Sequence, residues 1–403
     1  MMIKEITGNI CAPKGFLVSS VHAGIRKNSK KSDLAIIYSE VPAIAAGVFT
    51  LNQIKAAPVI LTKNHLKQGL LQAIVVNSGN ANACTGDLGM KHAEIMADSI
   101  ADEFNIAAHM VAVASTGVIG VTLPIDKITK GIHDAAKKMC LDGKGAAKAI
   151  MTTDTYPKSI AIEIEIAGTP VHIGGIAKGS GMIHPNMATM LGFITTDVAI
   201  DQPALQHALS LVNQTSFNMI TVDGDSSTND MLLTLANGMA RNKLIDSIHS
   251  DEWKTFYDGL AFVCTYLAKQ IAQDGEGATK LIEVQVDGAE TETQAQVAAR
   301  AVCGSSLVKT AIFGEDANWG RIACAIGASG ASLNPEKLCI ELGSLLLLNM
   351  GSPLPFEELE AKELLKENTV VMKVHLGVGD AKATAWGCDL SYDYIKINAS
   401  YRS

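Results

Sequence analysis

The pair Ala188–Thr189 has residue types that suit peptide self-cleavage followed by nucleophilic catalysis. The threonine hydroxyl can attack the carbonyl carbon of Ala188, and hydrolysis of the resulting ester leaves Thr189 as a new N-terminus. Its freed amine, with an ordinary pKa of about 8, can then act as the base for its own hydroxyl. The reaction needs a small preceding residue and a strained turn. Ala188 satisfies the first need, although most Ala–Thr pairs are inert, and nearby glycine and proline residues suit the second: Gly179, Gly181, Pro185 and Gly192.

A second segment offers the hydrogen-bond donors that acyl transfer requires. Residues 111–120 read VAVASTGVIG, an apolar run of buried-strand type that leads into a Ser-Thr-Gly-x-x-Gly turn. Acyl transfer passes through a tetrahedral oxyanion, which is stabilised by donors fixed where the negative charge develops. Thr116 can offer a hydroxyl and Gly117 an unobstructed backbone N–H, so the two form a candidate oxyanion hole. A simple strand-terminating turn is the alternative for this motif in isolation.

Composition indicates an enzyme-like globular chain and argues against several other classes. The 403 residues are 48% hydrophobic with a net charge of −8 and no basic block, which argues against nucleic-acid binding. The first ten residues lack a signal-peptide pattern, and the densest apolar stretch, 342–350, is too short to span a membrane. The eight cysteines and ten histidines are scattered, so no disulfide framework or metal site is expected. We expect a reduced, cytoplasmic protein.

Alternating helix and strand signals predict a mixed α/β fold. Apolar or alternating runs predict strands at residues 33–38, 73–76, 110–114, 160–166, 281–286 and 370–376. Helical spacing predicts helices at residues 88–105, from an Asp126 N-cap to about 141, from Asp201 onward, and at 253–273. Residues 174–196 contain five glycines and show neither period, so they form a functional loop, an ordinary glycine-rich turn or a regular element that the periodicity fails to reveal.

Five motifs together resemble one known family. They are KGSGMIHPNMATML around Thr189, STGVIG, TTDT at 152–155, DGEGATK at 274–280 and the terminal INASYRS. This set, with GEDANWGRI at 314–322 and an N-terminal block that begins GIRKNSKKSDLAIIY, resembles the ornithine acetyltransferase family. Its members are bifunctional glutamate N-acetyltransferases/amino-acid acetyltransferases of arginine biosynthesis. The resemblance extends over essentially the whole chain.

The resemblance implies a self-cleaving enzyme with an N-terminal threonine nucleophile. It implies cleavage before Thr189 into fragments 1–188 and 189–403, which fold together as one catalytic unit and assemble as two copies of each. Thr189 carries the acetyl group and Thr116 with Gly117 forms the oxyanion hole. Substrate contacts are implied for six positions: Thr152, Lys178, Thr189, Glu276, Asn398 and Ser403. The implied fold is a layered α-β-β-α-like sandwich with mixed or antiparallel sheets, similar to that of N-terminal nucleophile enzymes but with its own topology.

The implied substrates agree with the charges of two of these residues. N-acetylornithine and glutamate both carry an α-carboxylate, which a cation such as Lys178 can bind. Glu276 can pair with the side-chain ammonium of ornithine. No cofactor is implied, and acetyl-CoA stays open as a further acetyl donor. A solvated lysine and an ordinary loop carboxylate are the alternatives for these positions.

Two other functions stay open at this stage. A self-processing aminopeptidase or amidase would pass the acyl group to water, and a non-catalytic relative would act as a binding protein. His184 is a weaker candidate for a general base, because the freed amine of Thr189 already fills that role. Cys84 has no indicated partner histidine and is expected to be a packed thiol. The surrounding NSGNANA stretch is expected to form polar turns.

Overall fold

The computed structural model describes residues 3–26, 29–184 and 190–400, and its internal contacts divide the chain into two units. Unit 1 comprises the described residues within Met1–Gly179, Asn186–Ser216 and Ser226–Leu267. Unit 2 comprises those within Ser180–Pro185, Phe217–Asp225 and Ala268–Ser403. Each unit contains its own β-sheet.

The strands of unit 1 form one mixed sheet. Across the described residues, the strand order is β1-β6-β7-β8-β9-β3-β4-β5, with β2 paired to β3. The β4–β5 and β8–β9 pairs are parallel and the others are antiparallel. The strands are β1 (Lys4–Glu5), β2 (Phe16–Val21), β3 (Leu34–Phe49), β4 (Leu70–Asn80), β5 (Val111–Val118), β6 (Lys158–Ile166), β7 (Thr169–Lys178), β8 (Leu191–Thr196) and β9 (Met231–Ala236).

The long strand β3 joins two halves of this sheet. Its register against β4 shifts between Tyr38 and Ala43, and its second part also pairs with β9. One buried apolar cluster takes side chains from both halves, among them Ile74 of β4 and Phe193 of β8. Burying apolar side chains between two sheet faces is the main favourable contribution to such a fold.

Helices cover both outer faces of the unit 1 sheet. Met96 and Ile132 belong to the cluster that packs α2 and α3 against β3, β4 and β5. On the other half, Gly259 of α6 lies against Ile164 and Ile173, the β6 and β7 side chains that a Cβ there would meet at 3.2 and 3.1 Å. The helices are α1 (Ala57–His65), α2 (Gly86–Phe104), α3 (Ile125–Ala136), α4 (Lys144–Ala149), α5 (Gln202–Thr215) and α6 (Asp251–Gln273), whose last turns belong to unit 2. The predicted α/β fold with layered, mixed sheets is confirmed.

Unit 2 is built on a second mixed sheet. Its order within the described residues is β13-β12-β11-β14-β10-β15, with β10 and β14 parallel and α7 packed on β10 and β15. Its strands are β10 (Leu281–Ala289), β11 (Cys339–Leu342), β12 (Leu345–Asn349), β13 (Ser352–Pro353), β14 (Thr369–His375) and β15 (Ala381–Cys388). Its other helices are α7 (Glu292–Gly304), α8 (Ser306–Phe313), α9 (Trp319–Gly327), α10 (Glu358–Leu365) and α11 (Tyr392–Ala399). No helix in the described ranges is long and apolar enough to cross a bilayer.

One alternative was confirmed and one local prediction was wrong. The stretch 174–196 contains regular elements that its sequence did not reveal, because its ends belong to β7 and β8. Gly174 is suited to its strand because a Cβ there would lie 2.3 Å from the Asn9 carbonyl oxygen, so a larger residue would push the neighbouring chain away. Asp126 is not the N-cap of α3 but lies in its first turn, while Pro124 occupies the cap without a side-chain hydrogen bond.

Candidate active site

Strand β5 ends at the predicted oxyanion residues. Gly117 has a φ of +133°, a conformation that side-chain-bearing residues rarely adopt. A Cβ on Gly117 would lie 2.3 Å from the carbonyl carbon of Gly79 and 2.5 Å from the amide nitrogen of Asn80. These are backbone atoms of β4, where the register of the parallel pair is irregular. Glycine is therefore required at the position that follows Thr116.

Lys178, the last residue of β7, lies beside this turn. Its Nζ is 3.5 Å from the Thr116 hydroxyl oxygen, and both residues are buried, with 4% and 8% of their surfaces exposed. A buried ammonium group requires compensating charge or hydrogen bonds. The surface-lysine alternative is therefore excluded for Lys178, and the structure brings together two of the residues that the sequence nominated.

Asp154 supplies part of that compensating charge and was not nominated as a site residue. Its carboxylate accepts hydrogen bonds from the Lys158 ammonium at 2.8 Å and from the backbone N–H groups of Thr152 at 2.9 Å and Gly179 at 2.7 Å. Burial alone would raise the pKa of Asp154, but the ammonium groups of Lys178 and Lys158 and these hydrogen bonds lower it to about 2. The ionised Asp154 thus binds the backbone N–H groups of both Thr152 and Gly179, the residue that follows Lys178.

A cavity of about 360 Å³ lies beside Thr152 in unit 1. Its wall includes Thr152 and Asp154 together with three basic side chains, Arg26, Lys31 and Lys148. This volume lies at the lower end of the range found for small-molecule sites. The predicted substrate contact Thr152 therefore faces a space of suitable size with an excess of positive charge.

Asn229 and Asp230, which precede β9, connect the oxyanion turn to the residue after Thr189. The Asn229 amide donates hydrogen bonds to the carbonyl oxygens of Ser115 at 2.8 Å and Ala81 at 2.6 Å. Asp230 Oδ1 accepts a hydrogen bond from the backbone N–H of Met190 at 3.0 Å. The neighbouring buried side chains of Asn229 and Asp230 therefore hold the backbone at Ser115 and at Met190. Sequence reasoning missed both, and the only available signal was a polar SSTND run directly before an apolar strand.

Unit 2 brings two other predicted substrate contacts together. The Asn398 side-chain amide, near the end of α11, donates a hydrogen bond to Glu276 Oε2 at 2.8 Å. Glu276 is 7% exposed, and its backbone N–H donates to the Ser180 carbonyl at 2.9 Å. A Cβ on Gly181 would lie 2.3 Å from Glu276 Cδ, so the loop before Thr189 approaches this carboxylate as closely as glycine allows. The carboxylate of Glu276 is therefore a buried, hydrogen-bonded group.

The next residues of that loop are also fixed within unit 2. The backbone N–H groups of Met182 and Ile183 donate to the Asp223 carboxylate at 2.6 and 2.8 Å. His184 is half-buried with Nδ1 3.3 Å from the Thr221 hydroxyl, and burial lowers the pKa of His184. Asp223 therefore positions Met182 and Ile183 by their backbone, and the backbone of Glu276 holds Ser180.

The structure does not describe three of the predicted site residues. They are Ala188, Thr189 and Ser403. The expectation of polar turns at NSGNANA was partly wrong, since residues 77–80 are the end of β4. Cys84 is exposed with a φ of +56°, so the prediction of a packed thiol was also wrong.

Comparisons with known proteins agree over nearly the full length. Residues 17–403 match the model of the ArgJ family. An "Arginine biosynthesis bifunctional protein ArgJ" from Symbiobacterium thermophilum is 54% identical over 400 residues, covering 99% of each chain. The chain belongs to the ArgJ family. The protein with the same printed name from Bacillus subtilis is 50% identical over 402 residues, covering 100% of this ArgJ-family chain and 98% of the relative.

A solved structure also matches part of this ArgJ-family chain. It is the crystal structure of arginine biosynthesis bifunctional protein ArgJ from Bacillus halodurans, with 51% sequence identity and a TM-score of 0.52. The match covers 100% of the crystallised chain but 53% of this one. The family recognised from the motifs is therefore confirmed.

Proposed function

We propose that this ArgJ-family enzyme of arginine biosynthesis transfers the acetyl group of N2-acetyl-L-ornithine to L-glutamate through an acetyl ester of Thr189. The observation that carries the proposal is the convergence, within unit 1, of the Thr116–Gly117 turn, the Lys178 ammonium and the anchor on Met190. Met190 is bonded directly to Thr189. The segment Asn229–Asp230 therefore contacts both this neighbour of the nucleophile and β5, the strand that leads to the oxyanion turn. Family membership supports the choice of reaction.

The enzyme first cuts itself before Thr189. The Thr189 hydroxyl attacks the Ala188 carbonyl carbon, a C–O bond forms, the peptide C–N bond breaks, and the hydroxyl proton passes to the departing amine. Water then hydrolyses the ester, leaving the Ala188 carboxylate, the Thr189 hydroxyl and a free Thr189 amine. Strand β7 precedes the junction and pairs with β8, which follows it, so one sheet retains both fragments after cleavage. The crystallised relative's match to 53% of this chain agrees in size with the share of residues 189–403.

Acetyl transfer then proceeds by double displacement. The Thr189 amine takes the hydroxyl proton while the oxygen attacks the acetyl carbonyl of acetylornithine. Thr116 and the Gly117 N–H stabilise the oxyanion, and ornithine leaves with a proton on its amine. The neutral α-amine of glutamate attacks the threonine ester, its proton passes back to the threonine oxygen, and N-acetylglutamate departs. One oxyanion hole serves both half-reactions.

The charges of the residues assigned as substrate contacts, taken within each unit, suit these substrates. The Lys178 ammonium and the cavity beside Thr152, with its three basic side chains, provide positive charge for carboxylates. The buried Glu276 carboxylate, held by Asn398, supplies a negative group for the ornithine ammonium. We assign Ser403 a substrate contact on the family resemblance alone.

The proposal also includes the state in which the enzyme works. We propose that it acts in the cytoplasm without a cofactor, as an assembly of two copies of each fragment, with acetyl-CoA as a second acetyl donor. Light scattering of the purified enzyme should give twice the 42.4 kDa mass of one chain. N-acetylglutamate formation from acetyl-CoA and glutamate tests the second donor.

Acetyl transfer and hydrolysis are separated by one incubation. The enzyme is mixed with acetylornithine, with and without glutamate, and acetate, ornithine and N-acetylglutamate are measured. A transferase forms N-acetylglutamate in step with ornithine and releases little acetate when glutamate is present. Equal acetate release under both conditions would identify a self-processing amidase instead.

A further inference from the structure

The cavity beside Thr152 carries more positive charge than a single substrate carboxylate requires. Three basic side chains, Arg26, Lys31 and Lys148, and one acidic side chain, Asp154, line its described wall. The Asp154 carboxylate is already paired with a fully buried lysine ammonium at 2.8 Å. Within the described residues, Lys31 and Lys148 form no ion pair. The cavity is therefore a local excess of positive charge on a chain with a net charge of −8.

Arg26 is held in a fixed orientation at the wall of this cavity. The Asp33 carboxylate accepts the backbone N–H of Arg26 at 3.2 Å and that of Ile25 at 2.8 Å. The half-buried guanidinium donates to the Ser78 hydroxyl oxygen at 2.5 Å and to the Met151 carbonyl oxygen. The planar fork of a guanidinium matches the oxygen atoms of a phosphate or a carboxylate. Arg26 therefore provides a preoriented group for an anion.

This cavity lies next to the oxyanion turn of the same unit. A Cβ on Gly79 would lie 2.6 Å from Arg26 Cγ, so the arginine side chain packs directly on this residue of β4. The carbonyl carbon of Gly79 is also the atom that a Cβ on Gly117 would meet first. Arg26 and the oxyanion turn therefore both contact the backbone of Gly79. A ligand anchored in the cavity can extend to the turn within unit 1.

Of the proposed acetyl donors, acetyl-CoA is the one that carries phosphate groups. Its diphosphate and 3′-phosphate bear several negative charges, whereas acetylornithine has one carboxylate, which a single cation can bind. A cavity of about 360 Å³ with three basic side chains fits the larger, polyanionic acetyl donor. The flexible pantetheine arm of acetyl-CoA separates its phosphates from its thioester. The phosphates can therefore lie in the cavity while the acetyl group reaches the turn.

We propose that the cavity around Arg26, Lys31 and Lys148 binds the phosphate groups of acetyl-CoA. This inference rests on the proposed use of acetyl-CoA as a second acetyl donor. Acetyl donor and acceptor occupy the site in turn, so the same positive charge serves a carboxylate in one half-reaction and a phosphate in the other. The transfer step is the one already proposed, with the thioester C–S bond broken and CoA leaving as its thiol with the nucleophile's hydroxyl proton.

S-acetylpantetheine tests this site because it keeps the thioester and the arm of acetyl-CoA but lacks the phosphates. The second-order rate constant for acetylation of the cleaved enzyme is measured with each thioester in the absence of glutamate. Arg26→Gln should lower the ratio of the acetyl-CoA constant to the S-acetylpantetheine constant by about 10- to 100-fold, because a charged hydrogen bond is lost. Lys31→Gln and Lys148→Gln remove exposed charges and should each lower this ratio by about two- to fivefold.

Lys144→Gln is a matched control. Lys144 is an exposed lysine of α4, the helix that also carries Lys148, but it is not among the residues that line the cavity. Its replacement removes the same charge and should leave the ratio of the two rate constants unchanged. The exposed lysine variants also keep the test available if Arg26→Gln fails to fold, which urea unfolding detects.

Two results would overturn the inference. The first is a wild-type enzyme that reacts equally fast with the two thioesters. The second is an unchanged ratio in every folded variant of Arg26, Lys31 and Lys148. A wild type that is acetylated by acetylornithine but not by acetyl-CoA would remove this inference together with the second acetyl donor and leave transfer from acetylornithine intact. A wild type that neither substrate acetylates would overturn the proposed function itself.

Discussion

Replacement of Gly117 by alanine should disable the oxyanion hole through a backbone collision. The added Cβ would lie 2.3 Å from the Gly79 carbonyl carbon and 2.5 Å from the Asn80 amide nitrogen. No side-chain rotation can relieve contacts with backbone, so β5 must move away from β4 and carry the Gly117 N–H with it. Loss of one oxyanion donor typically lowers kcat by about 10²–10³, or about 2.7–4 kcal/mol. The left-handed backbone conformation adds about 1–3 kcal/mol to the loss of folding stability.

Gly120→Ala is the control for the backbone conformation. Gly120 also has a positive φ, +78°, but a Cβ there would have no neighbour within 4 Å. It should therefore lose stability from the conformation alone and keep its acetylation rate. Urea unfolding measures the stability of both variants.

The assay follows acetylation of the cleaved enzyme by acetylornithine in the absence of glutamate. Rapid quenching and mass measurement of the fragment that begins at Thr189 give the rate of ester formation, and intact mass gives the cleaved fraction to which the rate is normalised. Gly117→Ala should acetylate about 10²–10³ times more slowly than Gly120→Ala. Equal rates in the two variants would refute the assignment of the oxyanion hole to this turn.

Three further predictions concern the charged groups. The folded pKa of Asp154 is about 2, below its ordinary 3.8, so the stability that its ionised form provides is present above about pH 4 and lost as the pH falls toward 2. Asp154→Asn should therefore lower the free energy of unfolding in urea by on the order of 2 kcal/mol at neutral pH. The variant should also show a weaker dependence of stability on pH in the acid range. Lys178→Met should lower kcat/KM for acetylornithine by about 10² or more, because a buried charged hydrogen bond is lost; an unchanged value would exclude substrate contact. Glu276→Gln should keep the Asn398 hydrogen bond but raise KM for acetylornithine by about tenfold while leaving KM for glutamate unchanged. Steady-state kinetics with each substrate varied measures both constants, and an unchanged KM for acetylornithine would contradict the pairing of Glu276 with the ornithine ammonium.

Local patterns in the sequence predict most of the secondary structure around the site. The apolar run at residues 111–114 predicted β5, and helical spacing at residues 88–105 matches α2. Strand β7 was missed at Gly174 because its glycines give no side-chain period. Gly174 is explained by a close approach of Asn9, a partner distant in sequence that periodicity cannot reveal.

Candidate site residues could be predicted from the sequence only where they lie in a recognisable motif. The resemblance nominated Thr116, Lys178, Glu276 and Asn398, and the structure pairs the first two in unit 1 and the last two in unit 2. Asp230 was not predicted, because its importance depends on the position of Met190, forty residues away along the chain. Anchoring contacts of this kind arise from strand pairing and burial, which a single sequence does not display.

Intact mass spectrometry detects both self-cleavage before Thr189 and acetylation of the new N-terminal fragment. Wild-type protein and the Thr189→Ala variant are purified in parallel and measured before and after incubation with acetylornithine. We expect the wild type to give fragments 1–188 and 189–403, with one acetyl group added to the second fragment, and Thr189→Ala to give a single unmodified 42.4 kDa chain. An uncut wild-type chain, or acetylation of a residue other than Thr189, would contradict this expectation.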